Sequence, residues 1–170
     1  MGKYTKQNMD TVNTALTAFS VSVFMSVVLP KLVDVAKDVS DYIDRISTET
    51  GEDGLPLFTG ALHDTTGIGI YYQGSLVGVE RPAQLYNLQS SMPSYQQDFD
   101  PDTVFNEALK NAGATSKDGA WMVIFAAAPY AIEVNTDGSY AKNPRGEGFF
   151  WDITSYAEEK LRSTFKTNAA

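Results

Sequence analysis

Apolar residues near the start of the chain recur with a helical step. Val12, Leu16, Phe19, Val23 and Val27 are spaced four, three, four and four apart, which places them on one face of an α-helix. Asn8 is positioned to cap a helix beginning near Met9, although valines suit strands as well. Pro30 lacks an N–H and crowds the preceding turn, so this helix is expected to end or kink there. Beyond it the repeat resumes as Leu32, Val35, Ala36, Val39, Tyr42, Ile43 and Ile46. Asp34, Lys37, Asp38, Asp41 and Arg45 occupy the other face, and Lys37–Asp41 and Asp41–Arg45 have i,i+4 spacing. A second helix follows from this pattern.

After a turn at 48–54, residues 54–80 change the period. A proline-containing approach and a Thr-Gly-Ala-Leu turn lead into two short β-type segments. Gln73-Gly74 fits a two-residue hairpin turn, with glycine supplying a positive φ. In that register Ile70 is expected opposite Val77 and Ile68 opposite Val79. Gly69, Tyr71, Leu76 and Gly78 would then share the other face. Residues 82–100 form a long polar loop, exceeding the usual connection length.

The next helix is well punctuated. Asp100 is its expected cap, Pro101 its first residue and Gly113 its close, with Val104, Phe105, Ala108, Leu109 and Ala112 as its apolar stripe. Residues 120–128, AWMVIFAAA, read as a strand buried on both sides, and 130–135 as a second short strand. A loop at 138–148 precedes Phe149, Phe150 and Trp151. A final helix is expected from Asp152 or Thr154, carrying Ile153, Ala157, Leu161 and Phe165. The sum is a single α+β domain over residues 1–170, with a polar tail at 1–8 and a frayed end at 166–170. An N-terminal helical region precedes a small antiparallel sheet with a hairpin, and the middle and C-terminal helices pack on it.

Composition narrows the function classes. The chain has no cysteine, which removes disulfides and thiolate metal sites. A formal charge of −8 argues against a broad basic surface gripping phosphates. The apolar run 15–29 carries Thr17, Ser20, Ser22 and Ser26 and stops at Pro30. It falls short of the roughly 20 apolar residues of a bilayer span and shows no small-residue cleavage site. A buried amphipathic helix is expected there, and no membrane partner.

Candidate chemistry is sparse. His63 stands beside Asp64, but no serine or cysteine nucleophile motif accompanies it, and a surface histidine in a turn is the expectation. Asp98, Asp100 and Asp102 match the opening of a calcium loop. Thr103 and Leu109 stand where that loop needs glycine and glutamate, and helix capping explains the aspartates better. Gly67-Ile68-Gly69 is too short for a dinucleotide fingerprint and reads as strand glycines allowing close backbone approach. No catalytic, cofactor-binding or metal-ligating set is expected. Phe149, Phe150 and Trp151 are candidates for a subunit interface as much as for core, with Lys142 and Arg145 as a weak basic spot beside them.

The order of these features carries a resemblance. Pro56, Thr59, Gly60 and Leu62 follow the first helical region. Tyr130 and Ala131 precede Glu133 and Val134, and Gly148 leads Phe149 and Phe150 into the last helix. Over roughly residues 10–165 the chain resembles the head–tail joining, or tail-completion, proteins of long-tailed bacteriophages, the small neck proteins related to gene product ten of lambdoid phages. Glu133 and Val134 stand in swapped order, and Gly148 replaces the usual proline.

The resemblance implies a structural virion protein and no enzyme. It would be a ring-forming homo-oligomer, with six copies expected, at the head–tail junction, after assembly in the host cytoplasm. Its partners would be other neck and tail proteins, and genomic DNA would pass through the lumen without specific binding. Acidic residues are expected to face that lumen. The loops 82–100 and 138–148, or the hairpin edge at 75–80, are the expected contact surfaces. A tail terminator ring, a cellular binding module with loop 82–100 as its recognition surface, and an enzyme using His63 and Asp64 are the alternatives.

Overall fold

The computed structural model describes residues 6–48, 61–83, 99–115, 118–129, 131–132 and 148–166. The fold class is the expected α+β. Helix α1 (Lys6–Val23), a π-helical segment (Phe24–Val28) and helix α2 (Leu29–Thr48) follow one another without a break. Pro30 therefore neither ends the helix nor sits in an ordinary turn. The N–H of Leu29 donates to Phe24 O, five residues back, so the turn ahead of the proline is widened. That insertion takes up the misfit of a ring with no N–H to donate.

A short helix α3 (Ala61–Asp64) leads into strands β1 (Thr66–Tyr72) and β2 (Ser75–Glu80), then helix α4 (Pro101–Thr115), strand β3 (Ala120–Ala126) and helix α5 (Phe149–Thr164). The three strands form an antiparallel sheet in the order β2-β1-β3. The expected two-residue turn is present, and both central residues take positive φ, Gln73 at 50° and Gly74 at 79°. That is the twist-matched hairpin geometry. The N–H of Gln73 also donates to Gly119 O at 2.9 Å, tying the hairpin tip to the start of β3.

The register differs from the expected one. Ile70 lies opposite Gly78, Gly69 opposite Val79 and Ile68 opposite Glu80, with a bulge after Ile70. One extra residue on β2 shifts the pairing beyond it. Val77 still packs on the core, but Val79 moves to the other face and is exposed.

β1 is the central strand and divides two packing surfaces. Ile68 and Ile70 face α2, where Leu32, Val35, Ala36, Val39 and Ile43 supply the buried stripe. Helix α5 runs antiparallel to α2, since Tyr42 stacks on Tyr156 and Asp38 bridges Lys160. On the opposite face Gly67 leaves room for the Phe105 ring of α4, and Gly69 for the Tyr71 ring of its own strand. A Cβ on Gly67 would lie 2.4 Å from the Phe105 ring, so what these glycines admit is an aromatic side chain rather than a second backbone. The Tyr71 hydroxyl donates to Leu109 O at 2.6 Å, and burial raises its pKa above the ordinary phenol value.

Four further expectations change. β3 is shorter than the expected strand, and as an edge strand it is only half-buried, with Trp121 exposed. Ala131 and Ile132 are helical rather than extended, and the Ala131 N–H reaches back to Ala128 O at 2.9 Å. Helix α4 runs past Gly113 to Thr115, because that glycine makes room for the Tyr71 ring rather than a stop. Helix α5 starts at Phe149, three residues before Asp152, with Gly148 at its cap position. By contrast Asp100 caps α4 as expected: its Oδ2 accepts from the Thr103 N–H at 3.1 Å and from the Thr103 hydroxyl at 2.6 Å.

Candidate functional site

Two features stand out from the packed domain. The first is the N-terminal half of the long helix. No charged residue occurs between Asp10 and Lys31, and the expected burial of its stripe does not occur. Leu16 is 60% exposed, Phe19 69%, Met25 49% and Val27 51%. Of the helix's most apolar 18-residue window, only 11% is buried inside the molecule. Phe24 is the exception: it is buried and stacks on Tyr72 at 3.9 Å. That contact marks where the helix joins the domain, and residues 13–23 form an arm leading away from it. The reason is geometric. The core is completed by α2, the sheet and α5, so among the described side chains the repeat from Leu16 to Val27 has a face with no partner of its own.

The second feature is a polar cluster between α2, α3 and α4. His63 is buried rather than on the surface, which corrects the expectation from the sequence. Its Nε2 lies 2.7 Å from Asp44 Oδ1 on α2, and its Nδ1 lies 2.9 Å from Asp64 Oδ1. A neutral imidazole has one donor and one acceptor nitrogen. Both contacts are therefore hydrogen bonds only when the cluster holds one proton beyond a neutral ring and two carboxylates.

Arg81, just past β2, extends the cluster. Its Nε donates to Asp64 O at 2.8 Å, its Nη1 pairs with Asp102 at 2.6 Å, and its guanidinium lies 4.3 Å from the Phe105 ring centroid. The hydroxyls of Thr65 and Thr66 both donate to Leu62 O. With each ring nitrogen facing a carboxylate and the adjacent hydroxyls turned to a backbone oxygen, the arrangement ties elements together and offers no nucleophile–base pair. Among the described residues no group of three histidine or acidic side chains is placed to hold a metal ion.

The residues singled out in the sequence scatter. Leu62 is core, and its carbonyl receives the two threonines. Ala131 is buried in its helical turn. Pro56, Thr59, Gly60, Tyr130, Glu133, Lys142 and Arg145 lie outside the described residues, as do Asp98, most of loop 82–100 and most of loop 138–148. The aromatic trio divides by its place on α5. Phe149 belongs to the core, Phe150 is half-buried and meets it edge-on at 6.2 Å, and Trp151 is exposed. Only Trp151 is thus available as an outward anchor, because successive helical residues point in different directions.

The arm was hidden from sequence reading by its own periodicity, which looks like that of a core helix. The signal that distinguishes it is the absence of charge on any side. No family model, no curated protein and no solved structure matches this chain.

Proposed function

We propose that this protein is a structural assembly subunit that works through its N-terminal arm and not through bond chemistry. The supporting observation is the arm itself: a charge-free helical segment whose leucine, phenylalanine, methionine and valine side chains are uncovered. An uncovered apolar surface of this kind on a charge-free helix marks an interaction site. The polar cluster around His63 supports the same reading from the other side, since it braces the domain that carries the arm.

The ring-forming neck subunit implied by the resemblance is one form of this reading. Arms of neighbouring copies would cover one another through head-to-tail contacts that close by rotation, in a virion at the head–tail junction. Exposed Trp151, Ile132 and Trp121 would add aromatic and aliphatic anchors of the type enriched at interfaces. A tail terminator ring would use the same surfaces.

The test is the size of the full chain in solution, by mass photometry and light scattering, with and without a non-ionic detergent. The chain is expected to self-associate in plain buffer or to require detergent, and a Leu16→Glu/Phe19→Glu variant to be monodisperse in both. A monodisperse monomer in detergent-free buffer, indistinguishable from that variant, would overturn the proposal.

A further inference from the structure

We infer that β3 is a second interface, separate from the arm, whose partner is β3 of another copy of this chain, paired antiparallel about a two-fold axis at Val123. The outer backbone of the strand is free for this. Gln73 N–H donates to Gly119 O and Ala127 N–H donates to Thr65 O, one bond at each end of the β1–β3 ladder. Antiparallel hydrogen-bonded pairs fall on every second residue, so 119, 121, 123, 125 and 127 turn their backbone groups to β1. Ala120, Met122, Ile124 and Ala126 direct theirs to the outer side. Among the described residues nothing bonds to that side.

The two edges of the sheet are unlike. β2 is interrupted by a bulge and ends on Glu80, both of which discourage pairing with another chain. β3 is regular over Ala120–Ala126, with no charge, proline or glycine, and an edge of that kind accepts a further strand. The described helices make their main strand contacts on β1 and β2 rather than on β3.

The order of side chains selects a second copy as the partner. Outward from Val123 the strand is the same in both directions by residue class: Met122 and Ile124, then Trp121 and Phe125, then Ala120 and Ala126. Pairing about Val123 sets Met122 against Ile124 of the second copy, Trp121 against its Phe125 and alanine against alanine. This register also matches the free backbone groups, since 122 meets 124 and 120 meets 126. Val123 meets itself as a non-hydrogen-bonded pair, its own N–H and C=O being held by β1. Charge agrees as well. The flanking charged residues are Asp118 and Glu133, and Asp118 falls opposite Ala128, so a chain of net charge −8 meets itself here with no like charges in register.

Trp121 changes most on pairing. Its ring is 50% exposed, while its indole N–H already donates to Asp118 O. Covering it therefore strands no polar group. Phe125 of the second copy covers it in the closer, non-hydrogen-bonded type of pair, and symmetry repeats the contact. The result is one continuous sheet with a bulged β2 at each rim. Such a contact closes on itself as a dimer and leaves both arms free.

The test uses the Leu16→Glu/Phe19→Glu chain, so that the arm does not contribute, with single cysteines added to a sequence that has none. Across the axis the two copies of position 123 have Cα atoms about 4.5 Å apart, within disulfide reach. The two copies of position 121 stand about 13 Å apart along the strands. Val123→Cys is expected to give a covalent dimer under mild oxidation, at least tenfold more than the more exposed Trp121→Cys. In sedimentation equilibrium the cysteine-free arm variant is expected at twice its chain mass. Adding Trp121→Glu is expected to return it to the chain mass with an unchanged circular dichroism spectrum. Equal cross-linking at the two positions, or an arm variant that stays monomeric up to high micromolar concentration, overturns the β3 pairing. If that monomeric variant contrasts with a self-associating unaltered chain, the assembly reading through the arm survives alone. If both chains are the same dimer and Val123→Cys cross-links it, the β3 pairing stands and the role of the arm falls.

Discussion

The two halves of the long N-terminal helix carry similar apolar repeats and meet opposite fates. In α2 the stripe Leu32, Val35, Ala36, Val39 and Ile43 is buried against the sheet and α5, and Asp34, Lys37, Asp38, Asp41 and Arg45 face solvent. In the half before Pro30 the stripe Leu16, Phe19, Val23 and Val27 is exposed. Spacing alone does not separate them. What separates them is the other face, charged in α2 and uncharged in the arm. A charged face declares that water is expected on that side, and so that the apolar side has a specific partner. Without it, periodicity states only that the segment is helical.

The largest expected effect tests whether α2 is wired into the domain while the arm is not. His63→Ala takes away the ring that bridges Asp44 on α2 to buried Asp64. The variant leaves the buried Asp64 carboxyl without its ring partner; stranding one member of a buried pair costs about 3 to 5 kcal/mol, and urea unfolding of the domain is expected to show a loss of that order. A loss below about 1 kcal/mol, the level of a surface pair, would mean that the cluster does not brace α2.

The next prediction sets one half directly against the other. Ile43→Ala removes a side chain that is 0% exposed and is expected to cost about 2 to 5 kcal/mol, including the cavity left behind. Phe19→Ala removes a larger side chain from the arm and is expected to change domain stability by no more than about 0.5 kcal/mol. Equal losses in the two variants would abolish the contrast between the halves.

The same contrast explains what was legible in the sequence. Helix α2, the Gln73-Gly74 hairpin and the capped start of α4 were readable, because each rests on a local rule. Those rules are a charged opposite face, a turn that needs positive φ, and an aspartate oxygen meeting an N–H three residues on. The failures rest on tertiary choices. The bulge after Ile70 re-registers β2. Gly113 yields to the Tyr71 ring instead of stopping α4, and Phe149 is drawn into the core, which starts α5 early. His63 looked like a surface residue because its partner Asp44 is 19 residues away on another helix. Of the aromatic trio only Trp151 points outward, and its exposure was not readable from the run of three aromatics. The arm's helicity was readable and its exposure was not.

The smallest expected effect concerns the polar face that marks α2 as a partnered helix. Lys160 on α5 donates to Asp38 Oδ2 at 2.9 Å. That hydrogen bond, then one with Tyr156, raises the lysine pKa above its ordinary 10.5. A raised pKa in the folded state means that folding favours the charged form. The resulting stabilisation is full below pH 10.5 and is lost as pH rises through the higher folded-state value. The bridge is solvent-exposed, so salt screens it and its contribution is small. Lys160→Met is therefore expected to lower Tm slightly at neutral pH and low salt. The difference from the unaltered chain should shrink in 1 M salt and close in strongly alkaline buffer. No charged residue is available between 11 and 30 to make an equivalent bridge, so the arm's contribution to self-association should be indifferent to both. If salt dissolved the arm's interactions as readily as it weakens the Asp38–Lys160 contact, charge rather than apolar surface would govern the arm, and the distinction between the two halves would have been drawn on the wrong property.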